Sequence, residues 1–264
     1  MAKIIAITNQ KGGVGKTTTA MNFGIGLRLR RKRVLLIDLD PQCSLTYIMG
    51  GRSDGVTVQD LLLNPQAEAM AAVQRLKEGS LIASNRELGS LEMVLTQNDR
   101  AFRLSEALKQ VSPYYDYIVI DSPPALGVLT VNILTAANGV IVPALADIFS
   151  LQGVGELYST IQAVKEYCNP QLLLYGILLV RVSGRRLLLD RSMREMLEET
   201  AAQIDTRVFA SSIREMVAVR EAEAERQSIF AYAPGSRQAE DYERFLDEFL
   251  ELEHRGVWRQ QRGE

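Results

Sequence analysis

The 264-residue sequence is poor in the residues that staple small folds or bind transition metals. Its two cysteines, Cys43 and Cys168, lie far apart and form no CxxC pair. That argues against a disulfide framework and against a cysteine-rich zinc or iron–sulfur site. The same scarcity fits a reducing cytoplasm. A single histidine, His254, cannot build a histidine metal site. No run of about 18 apolar residues occurs, so no membrane span is expected. Met1-Ala2-Lys3 leads into a short apolar stretch and then a glycine loop, which leaves no room for a signal-peptide core. An excess of one charge is also missing. Thirty Lys and Arg against 32 Asp and Glu give a net charge of -2. Nothing global therefore draws the chain onto nucleic acid or anionic lipid, and any such binding needs a local patch.

The remainder is ordinary globular material, 47% hydrophobic and 23% charged. Its length suits one large α/β domain. We expect a single domain over residues 1–264, with 255–264 as a loose tail. Apolar runs alternate with helical patterns throughout. Strands are expected at Ile4–Thr8, Val34–Ile37, Leu81–Ala83, Tyr117–Ile120, Val140–Val142 (stopped by Pro143), Leu172–Val180 and Arg207–Ala210. Helices are expected from Gly15-Lys16 to about Arg30, and over 101–111, 151–167, 187–203 and 238–253. Residues 50–80 are the loosest part. Continuous apolar strands separated by helices predict a doubly wound, mostly parallel sheet flanked by helices. Ligands of such sheets bind beyond the carboxyl ends of the strands. Three polar segments fall there: the glycine loop, Asp38-Leu39-Asp40-Pro41, and Asp121-Ser122-Pro123-Pro124.

A strand, then glycines, then a helix opening with Lys-Thr is a recipe for holding phosphates. Lys11-Gly12-Gly13-Val14-Gly15-Lys16-Thr17-Thr18 supplies it. Glycines let backbone N–H groups converge on the oxygens, and the helix N-terminus adds partial positive charge. Lys16 would reach the β- and γ-phosphates, and the Thr17 hydroxyl would ligand Mg²⁺. The general pattern GxxxxGK[ST] is not fully met, because Gln10 holds its first glycine position. A dinucleotide-binding reading fails because Thr18 occupies the third glycine position.

With its second lysine, Lys11, this loop resembles the deviant Walker A motif of the ParA/MinD ATPases. Thr8-Asn9-Gln10 before it, Val34 through Gln42, and Tyr115 through Gly127 are similar to the ParA, or Soj, branch. Leu151-Gln152-Gly153 and Tyr232 through Arg237 fit later landmarks more loosely. The resemblance covers about residues 1 to 250 and implies a P-loop ATPase hydrolysing ATP with Mg²⁺. It implies that Asp121 holds the Mg²⁺ shell, that Asp40 orients the attacking water and also serves the metal, and that Asp38 is metal-linked or structural. It further implies an ATP-dependent homodimer in which Lys11 of each subunit reaches the phosphates of the other. The resemblance also implies turnover that is slow until a ParB-like adaptor stimulates it.

Relatives of this kind bind DNA non-specifically through basic residues in the C-terminal half. Here the candidates are Arg181, Arg185, Arg186, Arg214 and Arg220. Residues 181–226 nevertheless hold nine arginines and nine acids. Glu215-Met216-Val217-Ala218 stands where ParA relatives carry an Arg-Asn-Val-Arg stretch. The cluster Arg28-Arg30-Arg31-Lys32-Arg33 closes a helix, where basic residues complement the dipole. A MinD-like membrane switch needs a basic amphipathic C-terminal helix. The segment from Ala239 to His254 instead holds seven acids and one arginine, and its apolar stripe suits core packing. No membrane association is expected, and the chain is placed in the cytoplasm, on the nucleoid when ATP-bound. A nucleotide-dependent scaffold with little hydrolysis is a further alternative, disfavoured by Lys11 and Asp40. The nucleobase is expected near Val180 to Ser183 and Phe209 to Ser211.

Overall fold

The computed structural model describes residues 1–91, 101–183, 188–215 and 217–260. Its strands are β1 (Lys3–Ile7), β2 (Val34–Asp38), β3 (Val73–Leu76), β4 (Gly79–Ile82), β5 (Tyr117–Asp121), β6 (Gly139–Ala144), β7 (Leu173–Val182) and β8 (Val208–Arg214). They form one sheet in the order β3-β4-β2-β5-β1-β6-β7-β8. Every pairing is parallel except β3 with β4. The helices are α1 (Lys16–Leu29), α2 (Ser44–Met49), α3 (Val58–Leu63), α4 (Arg103–Val111), α5 (Val128–Ala136), α6 (Ile148–Tyr167), α7 (Leu188–Gln203), α8 (Val217–Ala224), α9 (Ile229–Tyr232), α10 (Arg237–His254) and α11 (Val257–Gln260).

The central strands β2 and β5 are apolar up to their final aspartates because both faces are covered. Leu35, Ile37, Ile118 and Ile120 point into the core shared with α3 to α7. Their neighbours Val34, Leu36, Tyr117 and Val119 point into the core shared with α1, α2 and α10. This is the doubly wound arrangement expected from unbroken apolar runs. Helix α1 lies close between sheet and α10. A Cβ on Gly24 would meet Leu36 at 2.7 Å, and one on Gly26 would meet Leu246 at 2.1 Å. The two glycines cost helix propensity and permit that approach.

Four expectations need correction. Strand β6 does not stop before Pro143 but runs through it, with Pro143 beside Leu178 of β7. Ile141 turns its carbonyl toward β1 and accepts the Thr8 N–H at 3.2 Å. Pro143, two residues on, turns its missing N–H to the same side, where β1 has already ended. No ladder bond is lost there. Residues 50–80 are more ordered than their glycines imply. Thr57 and Asp60 form a capping box that starts α3, and β3 adds the antiparallel edge strand. Strand β8 continues past Ala210 to Arg214, because Ile213 pairs beside Val180. The tail is not loose through residue 260. Trp258 is 4% exposed, its ring centroid sits 4.3 Å from Tyr175 and 5.0 Å from Phe249, and its Nε1–H donates to the Tyr175 carbonyl at 3.2 Å. Burying such an aromatic side chain stabilises the fold by about 2–3 kcal/mol.

The apolar stripe of α10 behaves as its spacing predicts. Tyr242, Phe245, Leu246 and Phe249 are all buried, and Phe23 of α1 packs on Phe245 and Phe249. Within the basic cluster, Arg30 pairs with Asp247 and Arg33 with Asp116. Among the described residues, no helix is long and apolar enough to cross a membrane.

Candidate functional site

Strand β5 lies between β2 and β1, and the three end at one level. Ile7 and Asp38 both stand beside Asp121 in register. The three polar segments singled out in the sequence therefore meet. They face a cleft of about 610 Å³ lined by Gly12, Gly13 and residues 15–19, with Asp40, Gln42, Ser44, Ile48 and Pro124. That volume suits a small-molecule ligand.

Buried Asn9 sets the path of the loop after β1. Its Nδ2 donates to the Pro143 carbonyl at 2.7 Å, and its Oδ1 accepts the Lys11 N–H at 3.0 Å. Gly13 and Gly15 then take φ values of +72° and +74°, where a side chain is strained, and the space above Gly12 and Gly13 is open. Val14 is buried and anchors the loop from below. Gly15 is the N-cap of α1 and offers no side-chain cap. The first N–H groups of this 14-residue helix are thus left for an incoming anion.

Lys16 is buried, and its Nζ donates to the Lys11 carbonyl at 3.1 Å. Burial lowers its pKa, while the charges of Asp121 and Asp40 pull the other way. Asp121 is 0% exposed, and neither of its carboxylate oxygens has a hydrogen-bond partner. Burial, aided by the Asp38 charge, pushes its carboxyl well above the usual range; the nearby Thr17 hydroxyl and Lys16 oppose that. A bare buried carboxylate is costly unless a cation completes it. Among the described residues no group of three or more His, Cys, Asp or Glu can hold a metal alone. The residues fit Mg²⁺, which takes one or two protein oxygens and fills its shell with water and phosphate.

Asp40 lines the cleft, and its Oδ1 accepts the Gln42 N–H at 2.8 Å. Burial raises its pKa against that bond and the Lys16 charge. Asp38 is a brace. Its Oδ1 accepts the Asp40 N–H at 3.0 Å, and its Oδ2 accepts both the N–H and the hydroxyl of Thr46 at 2.7 Å. Burial lifts its pKa to about 6. Lys11 does not line the cleft. Its Nζ lies 2.6 Å from Asp147 Oδ2 and 5.6 Å from the centroid of the Phe149 ring. Burial would raise the Asp147 pKa, but hydrogen bonds from Lys11 and Ser150 bring the carboxyl below its usual range.

The opposite wall comes from β7, β8, α8 and α10: Val180, Arg181, Ile213, Arg214, Glu215, Val219, Arg220, Glu223 and Tyr242. Arg181 pairs with Glu215 at 2.7 Å. Arg214 makes a fork to buried Asp241, Nε to Oδ2 at 2.8 Å and Nη2 to Oδ1 at 2.7 Å. The Thr18 hydroxyl donates to Glu223. Arg220 is exposed on the same wall. Arg185 and Arg186 lie outside the described residues. Of the two segments expected at the base end, only the first reaches the cleft, through Val180 and Arg181. Phe209 packs in the core on Phe245, and Ala210 and Ser211 give their N–H groups to Glu248.

Asp147, Thr46, Ser84 and Glu223 were not singled out from the sequence, and Asn9 entered only as part of the Thr8-Asn9-Gln10 resemblance with no role assigned. Asp147-Ile148-Phe149-Ser150 carries a legible signal, an N-cap whose Asp147 Oδ1 accepts the Ser150 N–H at 2.8 Å. The pairing of that Asp with Lys11 spans 136 residues and has no local signal. The same holds for Ser84, whose hydroxyl donates to the Asp40 carbonyl at 2.8 Å.

Comparison with known proteins agrees with this geometry. The family described as AAA domain matches residues 2–174. Sporulation initiation inhibitor protein Soj of Bacillus subtilis (strain 168) is 38% identical over 247 residues, covering 92% of this chain and 96% of Soj. Chromosome partitioning protein ParA of Myxococcus xanthus (strain DK1622) is 35% identical over 246 residues, covering 92% of this chain and 86% of that protein. A solved structure of cobyrinic acid a,c-diamide synthase from Mycobacterium smegmatis with bound ADP and magnesium superposes with a TM-score of 0.82 at 35% identity, covering 97% of both chains. On these grounds the chain belongs to the ParA/Soj-type partitioning ATPases of the deviant Walker A family.

Proposed function

We propose that this ATPase is a timed switch that partitions DNA or an associated cargo. Mg-ATP binds in the cleft, two subunits close face to face, the dimer binds DNA non-specifically, and hydrolysis stimulated by a ParB-like adaptor resets it. The chain acts as one domain over 1–264, in the cytoplasm and on the nucleoid when ATP-bound.

The observation that carries the reading is the orphaned Asp121 carboxylate beside Lys16 and Thr17. In this reading residues 12–18 wrap the phosphates with backbone N–H groups, and Lys16 neutralises the β- and γ-oxygens. Thr17 and Asp121 hold Mg²⁺, with Asp40 close by. Bound Mg²⁺ supplies charge neutralisation on the phosphate oxygens. Asp40, braced by Asp38 and Ser84, orients the attacking water. Lys11 acts on the partner's nucleotide. Its seat on Asp147, away from its own cleft, supports a role in trans. The exposed side chains of Ile148 and Phe149, 62% and 68% exposed, flank it and suit burial against a second copy.

DNA contact would fall to Arg220 with Arg185 and Arg186. Arg214 contributes less, since Asp241 already holds its guanidinium fork. The membrane alternative gains nothing from α10, whose apolar face is buried against α1.

The test is a set of three measurements on the purified protein: steady-state ATP turnover with magnesium, sedimentation with and without ATP, and retention on DNA across a salt series. The expected outcome is slow turnover, an ATP-dependent dimer, and DNA retention that falls steeply with salt. Asp40→Ala should hold the ATP-bound dimer for many times longer than the wild type. A monomer at saturating Mg-ATP would sink the switch.

A further inference from the structure

The cleft wall opposite the phosphate loop carries a cation that this chemistry leaves unused. Arg181 stands near the end of β7 with a left-handed backbone, φ +54°. That conformation is strained for any residue with a side chain and persists only where its surroundings hold it. The side chain reaches toward the phosphate loop. Its Nη1 lies 3.5 Å from the Gly13 carbonyl oxygen, and its Nε and Nη2 donate to Glu215 Oε1 at 3.2 and 2.7 Å.

The pair has no evident structural task. Both side chains are about half exposed, and exposed ion pairs contribute little to stability. Strands β7 and β8 are already joined by the ladder, and the Glu215 N–H donates to the Val182 carbonyl at 3.0 Å. Arg214 is the instructive contrast. Its partner Asp241 is buried, so releasing Arg214 would strand a buried carboxylate. Releasing Arg181 only returns the exposed Glu215 to water. The planar fork of Arg181 matches phosphate oxygens. The arginine holds the Glu215 carboxyl below its usual range, so Glu215 stays a carboxylate and competes with an entering anion for the guanidinium.

We propose that Arg181 is a nucleotide-contacting residue that exchanges Glu215 for a phosphate oxygen of the bound nucleotide, and that Glu215 sets nucleotide affinity by competing for the same guanidinium. The inference rests on the cleft being the Mg-ATP site.

Opposite effects of two substitutions test it. Dissociation constants for Mg-ATP and Mg-ADP are measured by calorimetry at fixed ionic strength. The chains compared are the wild type, Arg181→Met, Arg181→Lys, Glu215→Gln and the Arg181→Met/Glu215→Gln double variant. Arg181→Met should weaken both nucleotides by about 10-fold, and Arg181→Lys by less. Glu215→Gln should tighten both by about 3-fold. The double variant should match Arg181→Met alone. A structural ion pair would move both single variants the same way or neither. Glu215→Gln binding no tighter than wild type, or Arg181→Met binding as well as wild type, overturns the inference while leaving the ATP site intact. A wild-type chain that takes up neither nucleotide overturns the ATP site itself.

Discussion

The two walls of the cleft are built in different ways. The phosphate wall is made of contiguous segments whose backbone does the work: glycines at positive φ, an uncapped helix start, and carboxylates at adjacent strand ends. The opposite wall is made of side chains whose roles are set by partners far along the chain. Arg181 meets Glu215 across 34 positions, and Arg214 meets Asp241 across 27. The first wall fixes the chemistry that the cleft can perform. The second fixes how charged the cleft is toward what enters it, and there this chain can differ from relatives that share its loop.

Substitutions in the phosphate wall should therefore cost the most. Lys16→Ala removes the buried ammonium that faces Asp121 and Asp40. It should weaken Mg-ATP binding by at least about 100-fold, as read by calorimetry, and abolish turnover. Binding within a few-fold of wild type would mean that the loop does not grip the phosphates. Lys11→Ala should behave differently, because Lys11 sits on Asp147 and not in its own cleft. ATP binding should change only a few-fold, while partner-stimulated turnover falls by roughly 10³-fold, the scale of a charge supplied in trans. An unchanged ATP-dependent dimer in sedimentation would refute that role.

What the sequence revealed follows the same division. The sheet was legible because strands buried on both faces leave unbroken apolar runs such as Val34–Ile37 and Tyr117–Ile120. The loop was legible because only glycine meets the conformations of residues 13 and 15 without strain. The edge strand β3 was missed because Val73–Leu76 is half exposed and carries Gln74 and Arg75, so no apolar run marks it. The end of β6 was misjudged because Pro143 reads as a stop, and only the geometry shows its N–H side facing beyond β1. Arg214 stands among the DNA-binding candidates because nothing near it in the chain announces Asp241.

Outside the cleft, the tail offers a sharp check on where the second wall gets its support. Trp258 packs on Tyr175 of β7 and on Phe249 of α10, the two elements that carry Arg181 and Tyr242 to the cleft. Trp258→Ala should destabilise the fold by about 3–4 kcal/mol, read from the urea midpoint. It is the sole tryptophan, so its emission in the wild type should be that of a buried indole and shift red in the same transition. A midpoint within error of wild type would mean that the tail does not brace this wall.

The smallest expected effect lies at the strand ends of the phosphate wall, where like charges meet. Asp38 stands beside Asp121 in register, and both carboxyls are raised by burial, Asp38 to about 6. An unfolded aspartate titrates near 4. Between about pH 4 and 6 the folded chain therefore keeps a proton that the unfolded chain has lost, and stability falls as pH rises. The contribution is fully present below about pH 4 and gone above the folded value. Asp38→Asn cannot lose that proton, and it also removes a charge that holds Asp121 up. The variant gives up part of the bonding to Thr46, so it starts weaker in acid. The difference in unfolding free energy between the two nucleotide-free chains should then move toward the variant by on the order of 2 kcal/mol from pH 4 to pH 7. Urea melts at each pH give that difference directly. A difference that stays flat would show that Asp38 is ionised throughout at no cost, and that the strand ends tolerate paired negative charge without a cation.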